Sequence, residues 1–155
     1  MTKSILFVHS PIGVLTLVET GGVLTELRFG ERAEAGETLQ ATPLLRQAET
    51  ELQEYFGGRR KAFTVPFAPK GTAFQQAVWK VLLTIPYGET MTYGEVAKAV
   101  GNPKASRAVG MANHQNPLAI FYPCHRVIGA NHKLVGYGGG LSTKEFLLAL
   151  EQKAR

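Results

Sequence analysis

The sequence predicts an α+β protein, in which a small antiparallel sheet with one helix precedes a mainly helical part that holds a helix-turn-helix and the only cysteine. Three observations predict this class. Residues 5–29 contain β-branched and apolar runs separated by Pro and Gly turn signals. Residues 72–113 carry apolar side chains at helical spacing behind residue pairs typical of capping boxes. The stretch at 66–71 indicates a linker, so we predict domains at 1–66 and 71–155.

The first domain begins with three predicted strands, followed by one predicted helix. The strands cover residues 5–8, 14–18 and 23–29. Thr42-Pro43 starts the helix, because Thr accepts backbone hydrogen bonds as an N-cap and Pro lacks the N–H that the first turn leaves unpaired. Gly57-Gly58 ends the helix.

Four helices are predicted in the second domain. They start at a capping box of Thr72 with Gln75, at one of Thr92 with Glu95, after Asn102-Pro103, and at a capping box of Ser142 with Glu145. Phe74 is expected on the buried face of the first of these helices. A glycine turn joins the second and third helices, which makes them a helix-turn-helix candidate.

The third helix, residues 104–113, is dominated by small side chains, and Arg107 is the long basic side chain within it. Such a helix can bring its backbone close to another surface. That surface is either a DNA groove, with Arg107 entering the duplex, or a neighbouring helix in ordinary tight packing. The pattern alone leaves both interpretations open.

Composition excludes several classes of protein. The 155 residues are 45% hydrophobic, which favours a folded globular chain over a disordered one. No apolar run approaches the length of a membrane span, and the N-terminus lacks a signal-peptide pattern, so we expect a cytoplasmic protein. One cysteine excludes an internal disulfide, and four scattered histidines lack metal-ligand spacing, so we expect neither a metal nor another cofactor.

Charge is unevenly distributed along the chain. Residues 1–66 hold seven Lys/Arg and eight Glu, whereas residues 67–155 hold ten Lys/Arg and four Glu. The formal net charge of +5 therefore comes from the C-terminal part. That part is a candidate for binding a polyanion, although a solvated basic surface has the same composition.

Cys124 lies in the run Phe121-Tyr122-Pro123-Cys124-His125-Arg126-Val127-Ile128-Gly129. A reduced thiol becomes a good nucleophile when a nearby base takes its proton. The alternative is a small buried hydrophobe without chemistry. Pro123 fixes the backbone on one side, and the apolar run predicts a buried strand that delivers the thiol to its end.

Glu151 is expected on the buried face of the last helix, where a carboxylate needs a partner. It lies inside the arc spanned by Phe146, Leu147, Leu148 and Leu150. No local cation is evident in the sequence to neutralise it. In a catalytic arrangement of these residues, Cys124 would be the nucleophile and His125 the base, and Glu151 would orient His125. Adjacent residues of a strand point to opposite sides, so Cys124 and His125 cooperate only if the strand ends there or a water bridges them.

Two further segments accompany this constellation. Asn116 is suited to tying the turn after the helix-turn-helix to the cysteine segment, although an ordinary turn residue fits equally well. The loop Gly136-Tyr137-Gly138-Gly139-Gly140 would let backbone N–H groups approach a ligand closely, or it is a mobile linker.

These motifs together resemble the O6-alkylguanine-DNA alkyltransferases, also called methylated-DNA-protein-cysteine methyltransferases. The centre of the resemblance is Pro123-Cys124-His125-Arg126, which is highly specific to that family. Matching segments are residues 74–79, 86–88, 92–97, 101–110, 116–129, 136–140 and 144–151. Residues 71–155 match closely, and the N-terminal part matches loosely through its Ser10-Pro11-Ile12-Gly13 hairpin.

The resemblance implies a DNA repair protein. Such a protein flips O6-alkylguanine, and also O4-alkylthymine, out of the duplex and moves the alkyl group irreversibly to Cys124, so that each molecule acts once. The resemblance further implies a ribonuclease-H-like support domain and a monomer that binds double-stranded DNA through the minor groove. Whether binding along DNA is cooperative stays open.

The resemblance also assigns roles to individual residues. Cys124 accepts the alkyl group, His125 takes its proton through a water, and Glu151 holds His125. Asn116 ties the cysteine turn to the recognition helix. The residues assigned to the substrate pocket are Tyr93, Val127, Tyr137 and Gly138. The residues assigned to the DNA are Asn102, Gly94, Ala105, Ser106 and Arg107, and Arg107 fills the gap left in the base stack.

Two departures limit what is carried over. Some relatives bind a structural zinc in the N-terminal domain through cysteines and histidines, and this chain has no cysteine there. Gly138 stands where certain relatives have Ser, so a side-chain contact to the guanine oxygen is lost. Two other functions remain as alternatives: a DNA-binding module that recognises the lesion without repairing it, and a cysteine hydrolase built from Cys124, His125 and Glu151.

Overall fold

The computed structural model describes residues 2–154, apart from the side chain of His132. The chain divides into two compact units between Lys70 and Gly71. The N-terminal unit consists of a sheet with one helix, and the C-terminal unit is mainly helical, so the predicted fold class is confirmed.

The N-terminal unit contains a four-stranded sheet with the order β3-β2-β1-β4. Its elements are β1 (Lys3–Val8), β2 (Leu15–Thr20), β3 (Val23–Phe29), β4 (Glu37–Leu39) and α1 (Pro43–Phe56). The first three strands pair antiparallel, as predicted, with an irregularity in register between Val18 and Glu19. Strand β4 pairs in parallel with β1 and was not predicted, because it is only three residues long and largely polar.

Helix α1 forms where the sequence predicts it. Thr42 is the N-cap, its hydroxyl accepts the backbone N–H of Leu45, and Gly57 is the C-cap. Its inward side chains pack against β1, β2 and β3. They include Leu45, Ala48 and Leu52, which are fully buried; full burial of a leucine contributes roughly 1.5–3 kcal/mol.

The predicted linker at 66–71 begins with residues that belong to the N-terminal unit. The backbone N–H of Leu24 donates to Pro66 O at 2.9 Å, and that of Ala68 donates to Leu24 O at 2.9 Å. These bonds attach residues 66–68 beside β3, because an extended segment next to a strand satisfies its backbone groups.

The C-terminal unit contains four helices and a two-stranded parallel sheet. Its elements are α2 (Ala73–Leu82), β5 (Met91–Thr92), α3 (Tyr93–Ala99), α4 (Ser106–His114), β6 (Val127–Ile128), α5 (Leu141–Lys153) and two 3₁₀ helices at Cys124–Arg126 and Ala130–His132. The capping boxes at Thr72 and Thr92 are both present, as predicted. Helices α2, α3 and α4 pack against one another, and none of the helices within residues 2–154 is long and apolar enough to cross a bilayer.

Several predicted helix details are wrong. Helix α4 begins at Ser106 with Ala105 as N-cap, so Asn102-Pro103 lies in the preceding turn. Helix α5 begins at Leu141 with Gly140 as N-cap, and no side chain caps it. The predicted Ser142 and Glu145 capping box therefore does not form, since Ser142 is already inside the first turn.

Two aromatic residues were also wrongly predicted to be buried. Phe74 is 36% exposed and Phe146 is 38% exposed. The buried residues of α5 are instead Lys144, Leu147 and Glu151, which share one helical face at spacings of three and four residues. The burial predicted for Glu151 is confirmed.

The small sheet fixes the start of α3 beside the segment that follows the cysteine. Met91 pairs with Val127, and Thr92 pairs with Ile128. Since Tyr93 is the first residue of α3, this pairing places it close to the residues that follow Cys124.

Candidate active site

Cys124 lies at the start of a 3₁₀ helix, and not at the end of the predicted strand. The chain before it turns instead of extending: Ile120 has a φ of 76°, and the backbone N–H of Tyr122 donates to Leu118 O at 2.9 Å. Left-handed backbone is uncommon for a β-branched residue and ends any extended run. The prediction of a buried strand is therefore wrong, although the segment itself is buried and Cys124 is only 5% exposed.

Two asparagines fix the backbone around the cysteine. The Asn116 amide donates to Tyr122 O at 2.9 Å, and its own oxygen accepts the backbone N–H of Leu118 at 3.0 Å. Asn113, which is buried in α4, donates to Cys124 O at 3.2 Å. The helix-turn-helix is thus joined directly to the nucleophile candidate, through a residue that the sequence analysis missed.

Glu151 accepts hydrogen bonds from three groups at once. His125 Nε2 lies 2.6 Å from Glu151 Oε2, and Arg126 donates through Nε to Oε1 at 2.8 Å and through Nη2 to Oε2 at 2.9 Å. The backbone N–H of Gly88 donates to Oε1 at 3.2 Å. His125 and Glu151 are fully buried. The cation that neutralises Glu151 is not local in sequence: Arg126, 25 residues earlier, binds it in the bidentate geometry of strong Arg–carboxylate pairs.

These contacts determine the charges of the cluster. Burial would raise the pKa of Glu151, but hydrogen bonds from His125 and Arg126 outweigh it and lower the pKa to about 2. Burial lowers the pKa of His125, despite the opposing effect of Glu151. Because Arg126 neutralises the carboxylate, His125 can stay neutral beside it and is able to accept a proton.

Cys124 and His125 occupy successive positions of the 3₁₀ helix. Successive side chains of such a helix point about 120° apart. His125 is directed to α5, whereas the thiol faces Asn116 and Tyr137. Burial raises the pKa of the thiol, and hydrogen bonding from Asn116 and Tyr137 and the charge of Lys144 act in the opposite direction.

The glycine-containing loop lies over the thiol. Burial raises the pKa of the Tyr137 hydroxyl, and the charge and hydrogen bond of Cys124 raise it further. The Tyr93 hydroxyl donates to Val135 O at 3.3 Å, and its pKa is raised by burial and by the charge of Cys124. The two tyrosines predicted to contact a substrate therefore both lie near the sulfur.

The other predicted substrate residues differ in exposure. Val127 is fully buried, whereas Gly138 is exposed. A Cβ atom added at Gly138 would meet no atom within 4 Å, so a side chain fits there without a clash.

The predicted DNA-contacting residues lie at the surface of α3, α4 and the turn between them. Asn102, Gly94 and Arg107 are exposed, and Ala105 and Ser106 are half-buried. A Cβ atom at Gly110 would lie 3.8 Å from the Tyr93 ring, an ordinary van der Waals distance, so α4 passes next to Tyr93 at this glycine.

Three residues of this site were not predicted: Arg126, Asn113 and Lys144. Arg126 is part of the Pro123-Cys124-His125-Arg126 motif. Its position next to His125 is the sequence feature that could have indicated a role in the site. Lys144 lies seven residues before Glu151, so helical periodicity places both on one face. Among the side chains that the structure describes, which exclude that of His132, no three from His, Cys, Asp or Glu are grouped so that they could hold a metal ion.

Sequence comparison matches both units to one family. A family model described as "6-O-methylguanine DNA methyltransferase, DNA binding domain" matches residues 73–153. A second, described as "6-O-methylguanine DNA methyltransferase, ribonuclease-like domain", matches residues 5–69. The methylated-DNA–protein-cysteine methyltransferase of Methanosarcina acetivorans is 52% identical over 147 residues, which cover 92% of this chain and 94% of that relative.

Solved structures show the same similarity. The crystal structure of Mycobacterium tuberculosis O6-methylguanine methyltransferase superposes with a TM-score of 0.91 at 48% identity, covering 99% of this chain and 95% of that one. The structure of Mycobacterium tuberculosis OGT in complex with DNA gives a TM-score of 0.90 at 49% identity, covering 97% and 94%.

Proposed function

This chain belongs to the 6-O-methylguanine DNA methyltransferase family, and on that basis we propose that it repairs DNA by moving an alkyl group from guanine O6 to Cys124 Sγ. The transfer is proposed to be stoichiometric, because the thioether that forms at Cys124 is stable to hydrolysis. The observation that carries the proposal is the 2.6 Å contact between His125 and Glu151, one residue from the thiol.

The proposed chemistry balances without a cofactor. His125 accepts the Sγ proton through a water, and the thiolate attacks the alkyl carbon. The sulfur–carbon bond forms as the carbon–O6 bond breaks, and the electron pair of the broken bond passes to the guanine oxygen and ring. The proton that left the sulfur is returned to the guanine, so the products are neutral guanine and a thioether at Cys124.

The buried environment of Cys124 suits a nucleophile that is used only once. Burial raises the pKa of the thiol, so it stays protonated until a base removes the proton. A protonated thiol is a poor target for oxidants and for unselective alkylating agents.

Tyr93 and Tyr137 are proposed to contact the alkylated guanine. Both hydroxyls lie near the sulfur, and the raised pKa of each keeps it protonated and able to donate. A donor directed at guanine stabilises the negative charge that develops as the C–O6 bond breaks. Val127 and Gly138 form the remaining walls of the proposed pocket.

DNA binding is assigned to the exposed surface of α3 and α4. A relative at 49% identity was solved in complex with DNA, and residues 67–155 of this chain carry ten Lys/Arg against four Glu. We assign Asn102, Gly94, Ala105 and Ser106 to the DNA backbone, and Arg107 to the space vacated by the flipped base. We also propose that the protein binds DNA as a monomer and through the minor groove. A second proposed substrate is O4-alkylthymine.

We propose that the two units have different roles. Every residue assigned to transfer or to DNA lies between positions 93 and 151, in the C-terminal domain at 71–155. The N-terminal domain at 1–66 is assigned a supporting role.

A single-turnover labelling experiment tests this function. A duplex that carries O6-methylguanine with a labelled methyl group is incubated with excess protein, and the label is expected on the peptide that contains Cys124, in stoichiometric amount. Sustained turnover of substrate by a small amount of protein would indicate a hydrolase and contradict the proposal. Binding of the lesion without label transfer would indicate a non-catalytic reader.

A further inference from the structure

The face that α4 turns to solvent has an apolar side chain at its centre. The exposed residues of this helix are Arg107, Ala108, Met111 and His114. At 100° per residue they fall within an arc of about 120°, with Met111 near its middle and one turn after Arg107. Met111 is 60% exposed, and it is the one large apolar side chain of this nine-residue helix that is not buried.

Contacts on the opposite face of α4 fix this orientation. The inward residues of the helix are buried, and α4 packs against α2 and α3. The indole Nε1 of Trp79 donates to Ala112 O at 2.8 Å, and the Asn113 amide donates to Cys124 O at 3.2 Å. Because these bonds hold α4 at one rotation about its axis, Met111 stays at the surface.

The surroundings of Met111 distinguish it from an ordinary exposed methionine. Single exposed apolar side chains are common and need no explanation. Met111, however, lies next to Arg107, which we assign to the space vacated by the flipped base, and its neighbours Ala108 and Gly110 are small. Residues 67–155 carry ten Lys/Arg against four Glu, and a relative at 49% identity was solved in complex with DNA. A nucleic acid is therefore the partner that fits this face.

Apolar side chains have a known use in proteins that bind the minor groove. Such proteins insert residues like methionine against base steps, and the partial loss of stacking bends the duplex. The flexible thioether of methionine adapts to irregular surfaces. One helical turn from Arg107 to Met111 is about 6 Å along α4, and successive nucleotides of one strand are about 3.4 Å apart. This spacing lets the two side chains act on neighbouring base steps.

We propose, on the premise of the alkyl transfer and the DNA assignment above, that Met111 is a positioning residue that enters the minor groove beside Arg107, weakens stacking at the base steps next to the lesion and so promotes flipping of the alkylated nucleotide. Arg107 occupies the space that the base leaves, whereas Met111 acts on the steps beside it. Because Met111 acts on the duplex and not on the thiol, it makes no contribution when the substrate is a free base.

Two variants and a control test the proposal. Met111→Ala removes the apolar side chain at an exposed position and introduces the strongest helix former, so α4 should be retained. Met111→Leu keeps the apolar bulk. Leu39→Ala is the matched control, because Leu39 is 62% exposed on β4 of the N-terminal unit and belongs to no assigned site.

The substrate is a duplex that carries O6-methylguanine and, one or two steps away, the fluorescent base 2-aminopurine, which brightens when it unstacks. Met111→Ala should bind this duplex roughly fivefold more weakly in fluorescence anisotropy. Its rise in 2-aminopurine fluorescence at saturating protein should be roughly half that of wild type. Single-turnover transfer from the saturated duplex should slow roughly threefold, whereas reaction with free O6-benzylguanine should be unchanged. Met111→Leu and Leu39→Ala should both behave like wild type.

Wild-type affinity and fluorescence in a folded Met111→Ala protein would overturn the proposal. Equal slowing with free O6-benzylguanine would also overturn it, because Met111 would then act on the pocket. If Met111→Ala fails to fold, Met111→Gln decides: it keeps the length of the side chain, but the amide is costly to desolvate between bases, so the same losses are expected. Affinity and fluorescence need no methyl transfer, so they still test Met111 if the wild-type protein transfers no label and the proposed function fails.

Discussion

Each of the two units contains a buried glutamate, and the difference between them separates a structural carboxylate from a chemical one. Glu51 in the N-terminal unit accepts hydrogen bonds from the backbone N–H groups of Thr64 and Val65, from the Thr64 hydroxyl and from the Gln47 amide. Glu151 in the C-terminal unit accepts hydrogen bonds from the side chains of Arg126 and His125. Both are buried, and hydrogen bonding outweighs burial to lower the pKa of each.

The partners, and not the burial, determine what each glutamate can do. All donors to Glu51 are neutral groups that do not titrate, so it can only hold residues 64–65 against α1. The stabilisation from a depressed carboxyl pKa is complete above the unfolded value near 4.5 and is lost as the pH falls through the folded value. One partner of Glu151 is an imidazole next to the only thiol, so a proton can move there. A buried carboxylate therefore indicates chemistry only when a titrating partner adjoins a nucleophile.

Replacing the nucleophile should have the largest effect of all. Cys124→Ser replaces sulfur by a hydroxyl, which is not ionised by a neutral imidazole at ordinary pH, so label transfer should fall below detection. Affinity for lesion-containing DNA should stay close to wild type, as measured by fluorescence anisotropy. A serine variant that protects cells from methylating agents as well as wild type would favour the non-catalytic reader.

The second prediction compares the two glutamates directly. Glu151→Gln removes the charge that orients His125 and stabilises its protonated form, so transfer should slow roughly a hundredfold, within the range for general-base catalysis. DNA affinity should change little. Single-turnover rates and anisotropy measure the two quantities separately.

Glu51→Gln is the matched control for that variant. It weakens hydrogen bonds to residues 64–65, so we expect a loss of about 1–3 kcal/mol in the free energy of unfolding and no change in the transfer rate of the folded protein. Equal loss of transfer in both variants would mean that Glu151 acts through stability alone, and a loss of DNA affinity in Glu151→Gln would contradict its orienting role.

The third prediction concerns the cation that distinguishes the Glu151 site. Arg126→Met leaves the Glu151 carboxylate without its guanidinium partner, and the loss of the guanidinium charge raises the pKa of His125. Because the protonated imidazole cannot act as a base, the acid-side fall of the transfer rate should begin at a higher pH than in wild type. Transfer at pH 7 should slow roughly tenfold, and the unfolding free energy should drop by about 3–5 kcal/mol.

The pH profile separates these two effects. Loss of stability scales the rate equally at all pH values at which the protein is folded, whereas a shifted His125 pKa moves the midpoint of the acid limb. An unmoved midpoint in a folded Arg126→Met protein would show that Arg126 supports the fold without tuning His125.

Local rules predict much of this fold. Capping boxes, the Thr42-Pro43 start and β-branched runs each depend on residues only a few positions apart, and the structure confirms them. The end of the cysteine segment was wrongly predicted because an apolar run does not reveal that Ile120 adopts a left-handed conformation. The Asn116 side chain stabilises that turn through bonds to Leu118 and Tyr122, two and six residues further along the chain, and an apolar run alone does not distinguish such a buried turn from a buried strand.

Local sequence patterns also predict only part of the candidate active site. Helical periodicity was enough to predict the burial of Glu151, and applied to Lys144 it would have predicted the second buried charge. The partner of Glu151 was not predicted, because Arg126 reaches it across 25 residues of sequence. A pair at that separation is set by how α5 packs on the 3₁₀ helix, which no local pattern encodes.

The smallest effect should come from a surface residue that touches neither glutamate site. Arg107 is exposed on α4, so Arg107→Ala should leave the fold and the thiol pKa unchanged and weaken DNA binding roughly fivefold, or by about 1 kcal/mol. Arg46→Ala in the N-terminal unit, which removes an exposed arginine paired with Glu49, should not change DNA affinity. If Arg107 occupies the space left by a flipped base, its loss should slow transfer from duplex DNA but not from the free base O6-benzylguanine. Equal slowing with both substrates would place Arg107 in the pocket and remove it from the duplex.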